Sequence, residues 1–293
     1  KGIRLLHEEG LPYHGSIVAM PHILGWDDLA GTVSFLADQG ALTIRIFMAG
    51  YAQNADPGLK FDPDLMHRDL KEFVAGMAEK TACPILLEPP PVADLKPVVA
   101  GVIKGSNAYR AGVQRGDLIV DINGRVPRSR VEAWQWAQEP GLLRVKIKRQ
   151  GQPGELVWHN QKDEKSGLVM EFDFDMKRWD RIAGKVRGTT GPVLLLCSRL
   201  AEKVLERLAK SGERPDIFRI QPVQNYLFGG SIGAAGLLSV DDFYSAYLAY
   251  RREHPRPALI LLPGEAFNYL GRDLTGKSYQ DLEEKTGVKV LVV

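Results

Sequence analysis

The run Gly105-Ser106-Asn107-Ala108-Tyr109-Arg110-Ala111-Gly112-Val113, followed by Arg115-Gly116-Asp117-Leu118-Ile119-Val120-Asp121-Ile122-Asn123-Gly124, leaves the backbone few options. Glycines bracket a short helix, a Gly-Asp turn feeds a strand, and the strand closes on Asn-Gly. That dipeptide favours a type I′ hairpin turn, because both central residues must take positive φ and Asn and Gly tolerate it best. Arg149-Gln150-Gly151-Gln152 signals a second hairpin. Around these turns the pattern predicts strands at Pro97 to Ile103, Leu118 to Ile122, Leu143 to Arg149 and Glu155 to His159. It also predicts a helix near Arg130 to Gln138 and a closing strand, Gly167-Leu168-Val169-Met170-Glu171-Phe172.

The flanks read as α/β. Before the hairpin region come a strand at Tyr13 to Met20, an amphipathic helix at Trp26 to Gln39 and a strand at Ala41 to Met48. A helix at Pro63 to Lys80 and a strand at Pro84 to Glu88 follow. Strand–helix–strand order implies a parallel sheet, and three such strands close poorly by themselves. Pro89-Pro90-Pro91 is a stiff boundary, since each ring fixes φ. After the hairpins, strands are predicted at Gly191 to Cys197, Asp216 to Val223, Leu259 to Leu262 and Val288 to Val293. Helices at Ser198 to Ser211 and Val240 to Arg252 lie between them, with a glycine-rich element at Gly229 to Leu238.

With 293 residues, the chain divides into three modules: residues 1–92, 93–172 and 173–293. Apolar residues at 44% and charged ones at 25% are ordinary for a soluble globular protein. No apolar run has membrane-spanning length. The net charge of +2 hides an acidic first third and a basic middle, where Arg144, Lys146, Lys148 and Arg149 share a strand. Such alternating basics read as a solvated edge that discourages aggregation rather than as a nucleic-acid surface. Cys83 and Cys197 are the only cysteines, far apart, so the sequence holds no zinc spacing and no Cys-x-x-x-Cys-x-x-Cys loop. Two separate thiols fit a reducing, cytoplasmic setting. There is no Gly-x-Ser-x-Gly, no Walker loop and no His-Glu-x-x-His.

The hairpin region resembles the bacterial PDZ domain, whose usual form runs Gly-Ser-Pro-Ala-x-x-Ala-Gly-Leu, Gly-Asp, Ile-Asn-Gly. The resemblance implies binding of an extended peptide by strand addition, with no chemistry of its own. In the circularly permuted bacterial form the groove strand comes last. Gly167, Leu168, Val169 and Met170 then stand where the family has its carboxylate-binding Gly-Leu-Gly-Phe loop, with Val169 and Met170 in place of the second Gly and the Phe. A closing strand with an unused groove is the alternative reading.

The sharpest feature of the flanks is Pro222-Val223-Gln224-Asn225-Tyr226-Leu227-Phe228-Gly229-Gly230-Ser231-Ile232-Gly233-Ala234-Ala235-Gly236-Leu237-Leu238. A strand ending in Asn, then a glycine pair opening a small-residue helix, makes Asn225, Phe228, Gly229, Gly230 and Ser231 candidates for a ligand or anion site, with Ser231 as helix cap. Close helix–sheet packing through the glycines is the competing explanation. This run, with Leu262-Pro263, Asn268-Tyr269-Leu270 and Asp273-Leu274-Thr275, resembles a C-terminal domain of unknown function in bacterial iron–sulfur oxidoreductases that carry a PDZ domain and a radical SAM barrel. His14, Ile17, Val18, Pro21, Asp27 and Asp28 resemble the later half of that barrel.

These resemblances imply an α/β multidomain chain. Residues 1–92 would be part of a (β/α) barrel, residues 93–172 an inserted, circularly permuted PDZ domain, and residues 173–293 an α/β domain with a mainly parallel sheet. Its role would be the accessory, substrate-presenting portion of a radical SAM-like iron–sulfur protein, with the PDZ domain gripping a peptide. A non-catalytic PDZ adaptor or scaffold is the alternative. No cofactor is expected within this chain; the resemblance implies a [4Fe-4S] cluster and S-adenosylmethionine for the full-length protein, with the cluster half either upstream of Lys1 or lost in this relative. The expected partner is a protein or peptide segment, neither membrane nor nucleic acid. No metal ligand is assigned: His14 and His22 read as ordinary polar histidines. Asp27, Asp28, Asp62, Asp64, Asp241 and Asp242 read as helix-start acids, and Cys197 as a buried thiol.

Overall fold

The computed structural model describes residues 2–212 and 214–293. They form a mixed α/β protein in two compact units. One runs up to Ala49 and resumes over Phe61–Met176; the other combines Gly50–Lys60 with Lys177–Val293.

The first unit opens with α1 (Gly2–Glu8), β1 (Gly15–Ala19), α2 (Pro21–Leu24), α3 (Trp26–Asp38), β2 (Ile44–Met48), α4 (Pro63–Lys80) and β3 (Ile85–Glu88). The three strands pair in the order β1-β2-β3, all parallel. Period-two burial decides which face is covered. Ile44 and Ile46 are buried with Leu29, Val33, Leu36 and Leu70 of α3 and α4, whereas Arg45 between them, like Ser16 and Val18, is exposed. The start of α4 follows from its sequence: the Asp62 carboxylate accepts the Asp64 and Leu65 N–H groups, and Pro63 occupies the first turn, where no donor is needed.

The same unit continues with β4 (Gly101–Val102), α5 (Asn107–Arg110), β5 (Leu118–Ile122), α6 (Arg130–Ala137), β6 (Gly141–Arg149), β7 (Gln152–Asn160) and β8 (Leu168–Val169). β5, β6 and β7 form an antiparallel sheet, and β8 pairs antiparallel with β4. The Asn-Gly turn forms as predicted, with φ of 53° at Asn123 and 81° at Gly124. Along β6, Leu143, Val145 and Ile147 are buried while Arg144, Lys146 and Lys148 face out. Arg149 is the exception to that solvated row. It grips the fully buried Asp117 carboxylate with two nitrogens at 2.7 and 2.8 Å, and Asp117 also accepts the Gln114 N–H. The Gly-Asp turn and the end of the long hairpin are thus one charge-assisted clasp.

Two expectations need correction in this unit. The predicted strand Pro97 to Ile103 shrinks to Gly101–Val102 plus a bridge from Val98 to Leu118. The predicted closing strand Gly167 to Phe172 is regular only over Leu168–Val169, because Asp173 turns back to cap α6.

The second unit contains α7 (Met176–Val186, whose first residue falls in the first unit), β9 (Val193–Ser198), α8 (Glu202–Ser211), β10 (Phe218–Val223), α9 (Val240–Arg251), β11 (Leu259–Leu262), α10 (Tyr279–Thr286) and β12 (Val290–Val292). Its sheet is wholly parallel, in the order β10-β9-β11-β12. Every residue of β9 is buried, as a central parallel strand covered on both faces requires. Phe243 of α9 sits fully buried against Leu194, Leu196 and Ile260. α9 starts on a reciprocal capping box between Ser239 and Asp242, and α10 on one between Ser278 and Asp281. The helix predicted from Ser198 begins only at Glu202, after a turn through Arg199 and Leu200. Among the described residues no helix is long and apolar enough to cross a membrane.

Candidate functional site

β8 has two different edges. On one, Ala100 N–H donates to Val169 O and Ile103 N–H to Gly167 O, closing the ladder with β4. Main-chain groups alternate along a strand, so those of Leu168 point the other way, toward α6. That edge faces α6, whose Trp134 reaches it.

α6 is held there by two caps. Ser129 Oγ accepts the Glu132 N–H at 3.0 Å, and the Asp173 carboxylate accepts the N–H groups of Arg130 and Val131 at 2.8 and 3.1 Å. The Arg130 guanidinium, almost wholly buried, donates to the Asp94 carbonyl at 2.6 Å and the Asp94 carboxylate at 2.8 Å, with Asp173 3.6 Å away. The chain entering the hairpin region and the chain leaving it are therefore both tied to the start of the groove helix. Glu171 lies beside this network, and burial pushes its carboxyl pKa up, with nearby Glu88 adding to the rise and Arg130 opposing it.

The end of the groove at the Gly167 loop is occupied by the chain itself. Ser166 N–H donates to Gln138 Oε1 at 3.0 Å, and Gln138 Nε2 donates back to Ser166 Oγ at 2.9 Å. Leu168 N–H donates to the same hydroxyl at 3.1 Å, and Trp134 Nε1 donates to the Leu168 carbonyl at 3.1 Å. Gly167 is packed so tightly that a Cβ there would fall 2.1 Å from Ser106 Cβ and Oγ. Of the four residues assigned to peptide binding, Gly167, Leu168 and Val169 are buried. Met170, next on the α6-facing edge, has no main-chain hydrogen bond among the described residues. Phe172 is exposed, as is Trp134 across the groove. Trp134, Gln138, Ser166 and Asp173 carry no sequence signal of this role; only tertiary pairing brings them together.

The second candidate, Asn225 to Ser231, is built differently from the expectation. No helix opens after Gly230. Gly229 and Gly230 both take φ of 61°, and only a short 3-10 turn at Ala235–Leu237 follows. Ser231 therefore caps nothing. Its hydroxyl accepts the Tyr51 N–H at 2.9 Å, its own N–H donates to Tyr51 O at 3.0 Å, and Gln53 N–H donates to Phe228 O at 2.7 Å. Residues 51–53 thus lie along the glycine loop as a strap. Asn225, 2% exposed, donates to Leu237 O and accepts the Phe228 N–H, each at 2.9 Å. The N–H groups of Phe228 and Ser231 are bonded within the chain.

The remaining polar candidates are accounted for. His14 Nδ1 lies 2.7 Å from Thr43 Oγ1, and the His22 ring lies tilted against Phe61 with centroids 4.8 Å apart. Asp242 completes the α9 capping box and also accepts the Tyr226 N–H, while Asp241 pairs with Lys277 and Lys285. Asp27 and Asp28 lie in the first turn of α3, where neither side chain makes a cap hydrogen bond. Burial pushes the Cys83 thiol up to about 11 and the Cys197 thiol to about 12, so neither is a ready thiolate. No group of three or more His, Cys, Asp or Glu among the described residues is placed to hold a metal ion.

Comparison with known proteins bears on the region that contains α6 and stops short of β8. Residues 98–149 match the PDZ domain family model. No curated protein matches this sequence. Among solved structures, an HtrA-type protease, AlgWS227A with tripeptide, is similar at 21% identity, over 55% of this chain and 46% of that one. The chain thus spans under half the length of that structure, and the TM-score of 0.20 is too low to inform the arrangement here.

Proposed function

We propose that this chain is a recognition module that binds an extended protein or peptide segment by adding it as a strand to the α6-facing edge of β8. One observation carries the reading. A strand that follows the PDZ-matched residues 98–149 is paired on one edge by β4, while its other edge faces α6, with the main-chain groups of Met170 unengaged among the described residues. Strand addition draws affinity from main-chain hydrogen bonds and specificity from alternate side chains. The groove strand coming last in its region accords with the permuted form of the domain. The test is panning of a displayed random-peptide library on the chain, followed by titration of a selected peptide and its N-methylated forms. Methylating alternate amides in the phase that faces β8 abolishes binding under this reading, whereas the opposite phase is tolerated. Equal tolerance of both phases overturns it.

A second, finer reading makes the chain the accessory portion of a radical SAM-like iron–sulfur protein. The parallel β1–α3–β2–α4–β3 run favours it, since its Arg45 face is exposed at Ser16, Val18 and Arg45, though Leu86 beside Arg45 is buried. The chain's own cysteines do not fit a cluster, being two in number and high in pKa, so under this reading the cluster belongs to residues outside 1–293. Iron and acid-labile sulfide in the anaerobically purified full-length gene product test it. About four irons per protomer support it, and none leaves the peptide-binding module alone.

A further inference from the structure

We propose that the open edge of β10 carries a binding site for a small, flat organic monoanion of the aromatic carboxylate class. The site lies wholly in the second unit and does not rest on the peptide-binding reading. A cleft of about 210 Å³ borders this edge strand, lined by Phe218, Ile220, Tyr250, His254, Lys210 and Arg219. Drug-sized ligands occupy roughly 300–1,000 Å³, so the occupant here is smaller.

The edge presents donors while its acceptors are covered. Val193 N–H donates to Ile217 O, so Arg219, Gln221 and Val223 pair with β9 in turn, and the main-chain groups of Phe218, Ile220 and Pro222 point outward. Arg219 Nη1 donates to Asp216 O and Phe218 O at 2.7 and 3.1 Å, and Gln221 Nε2 donates to Pro222 O at 3.3 Å. The N–H groups of Phe218 and Ile220 meet no such partner among the described residues. Tyr250 adds a third donor. Its side chain is 4% exposed, yet its hydroxyl makes no hydrogen bond among the described residues, and a buried phenol ordinarily has a partner. The buried side-chain atoms without one are Arg130 Nε and Trp158 Nε1, so the Tyr250 hydroxyl is open to solvent, and Tyr250 lines the cleft.

Charge and shape narrow the ligand further. Lys210 is offset by Glu206 at 4.0 Å, whereas Arg219 makes no ion pair with any described acid. One uncompensated positive charge matches a monoanion. Phe218 and Ile220 are apolar walls, and the exposed His254 ring lies parallel to Tyr250, at 4.5 Å and 5°, as a surface for a flat body. His254 Nδ1 lies 3.1 Å from the Tyr250 carbonyl, which only accepts, so Nδ1 carries the proton that holds the ring there.

The test is an amide NMR titration of the full chain with benzoate, using benzamide and acetate as the uncharged and the ringless comparators. Benzoate is expected to shift the Phe218 and Ile220 amides with a Kd of about 1 mM or tighter, and each comparator to bind at least about tenfold more weakly. No saturable shift by about 20 mM benzoate, shifts that spare Phe218 and Ile220, or a comparator within about threefold of benzoate each overturn the site. Tyr250→Phe keeps the ring and removes the donor, and Arg219→Gln removes the charge. Each is expected to weaken benzoate about five- to tenfold. Unchanged affinity in both variants, shown to be folded by thermal melting, also overturns the site. Where a variant fails to fold, the shift map of the unaltered chain decides.

Discussion

Gly230→Ala isolates what the glycine pair is for. At Gly230 a Cβ would lie 2.2 Å from the Tyr51 carbonyl oxygen and 2.9 Å from the Ala52 carbonyl carbon, both main-chain atoms that no rotamer can move. The strap at residues 51–53 must lift by about an ångström, which strains the two hydrogen bonds joining Tyr51 to Ser231. Each such bond contributes about 1 kcal/mol net, and a side chain at φ of 61° adds roughly 1–2 kcal/mol. The expected loss is about 3–4 kcal/mol. Gly229→Ala is the internal control. It has the same φ, but its Cβ meets the Gln53 side chain, Cβ included, at 3.0–3.3 Å and no main-chain atom, so a smaller loss dominated by the conformational term of roughly 1–2 kcal/mol is expected. Urea denaturation of both variants, read with hydrogen exchange over residues 51–53 and 228–231, separates the two terms. Equal losses for the two alanines, or unchanged exchange at the strap in Gly230→Ala, would refute the strap's role in closing the loop.

Asn225→Ala orphans the partly buried Phe228 N–H and frees the Leu237 carbonyl, and should cost about 2–3 kcal/mol in urea denaturation. Asn225→Asp places an oxygen against that carbonyl and should be no better tolerated, so an Asp variant as stable as the parent would contradict the assigned bonds. Glu171, whose pKa burial raises on folding, holds its proton more tightly in the folded state. Stability is then lost as pH rises from the unfolded value through the raised one. Glu171→Gln should therefore stabilise the first unit at neutral pH and have no effect below about pH 4, as thermal melting across pH would report. Burial also lifts both thiols well above neutrality, so iodoacetamide should leave the native chain unmodified by intact mass and add two groups in urea; rapid native labelling would contradict that placement.

Elements governed by local chemistry were legible in the sequence. The Asn123-Gly124 turn, the Asp62-Pro63 start of α4 and the boundaries of β5 and β11 follow from residues adjacent in the chain. α7 and α10 were missed although their signals were present. Met176, Trp179, Ile182 and Val186 recur at helical spacing and are all buried, and Ser278 with Asp281 is a capping pair. The strand at Gly167 to Phe172 was overdrawn for another reason. Its composition is strand-like throughout, but the carboxylate of Asp173 satisfies two N–H groups of a helix more than forty residues earlier, which the local pattern does not reveal.

The two candidate sites share one lesson about reading function from a motif. At Gly229-Gly230-Ser231 the sequence pattern resembles an anion cradle, yet the same small residues are what a close-packed strap demands, and the strap comes from residues 51–53, nearly two hundred positions away. At Gly167-Leu168 the pattern resembles a carboxylate loop, yet the Leu168 amide is satisfied by the Ser166 hydroxyl, and the amide just before the loop, that of Ser166, by Gln138. In both places a motif specifies a backbone shape and leaves open what fills it, because filling depends on partners the local sequence does not contain. The sites differ in what remains. The strap and Asn225 take up the N–H groups of Phe228 and Ser231, whereas β8 keeps Met170 available beyond the Trp134 plug. That remaining edge, rather than either motif, is where a partner would gain main-chain hydrogen bonds without displacing any already made.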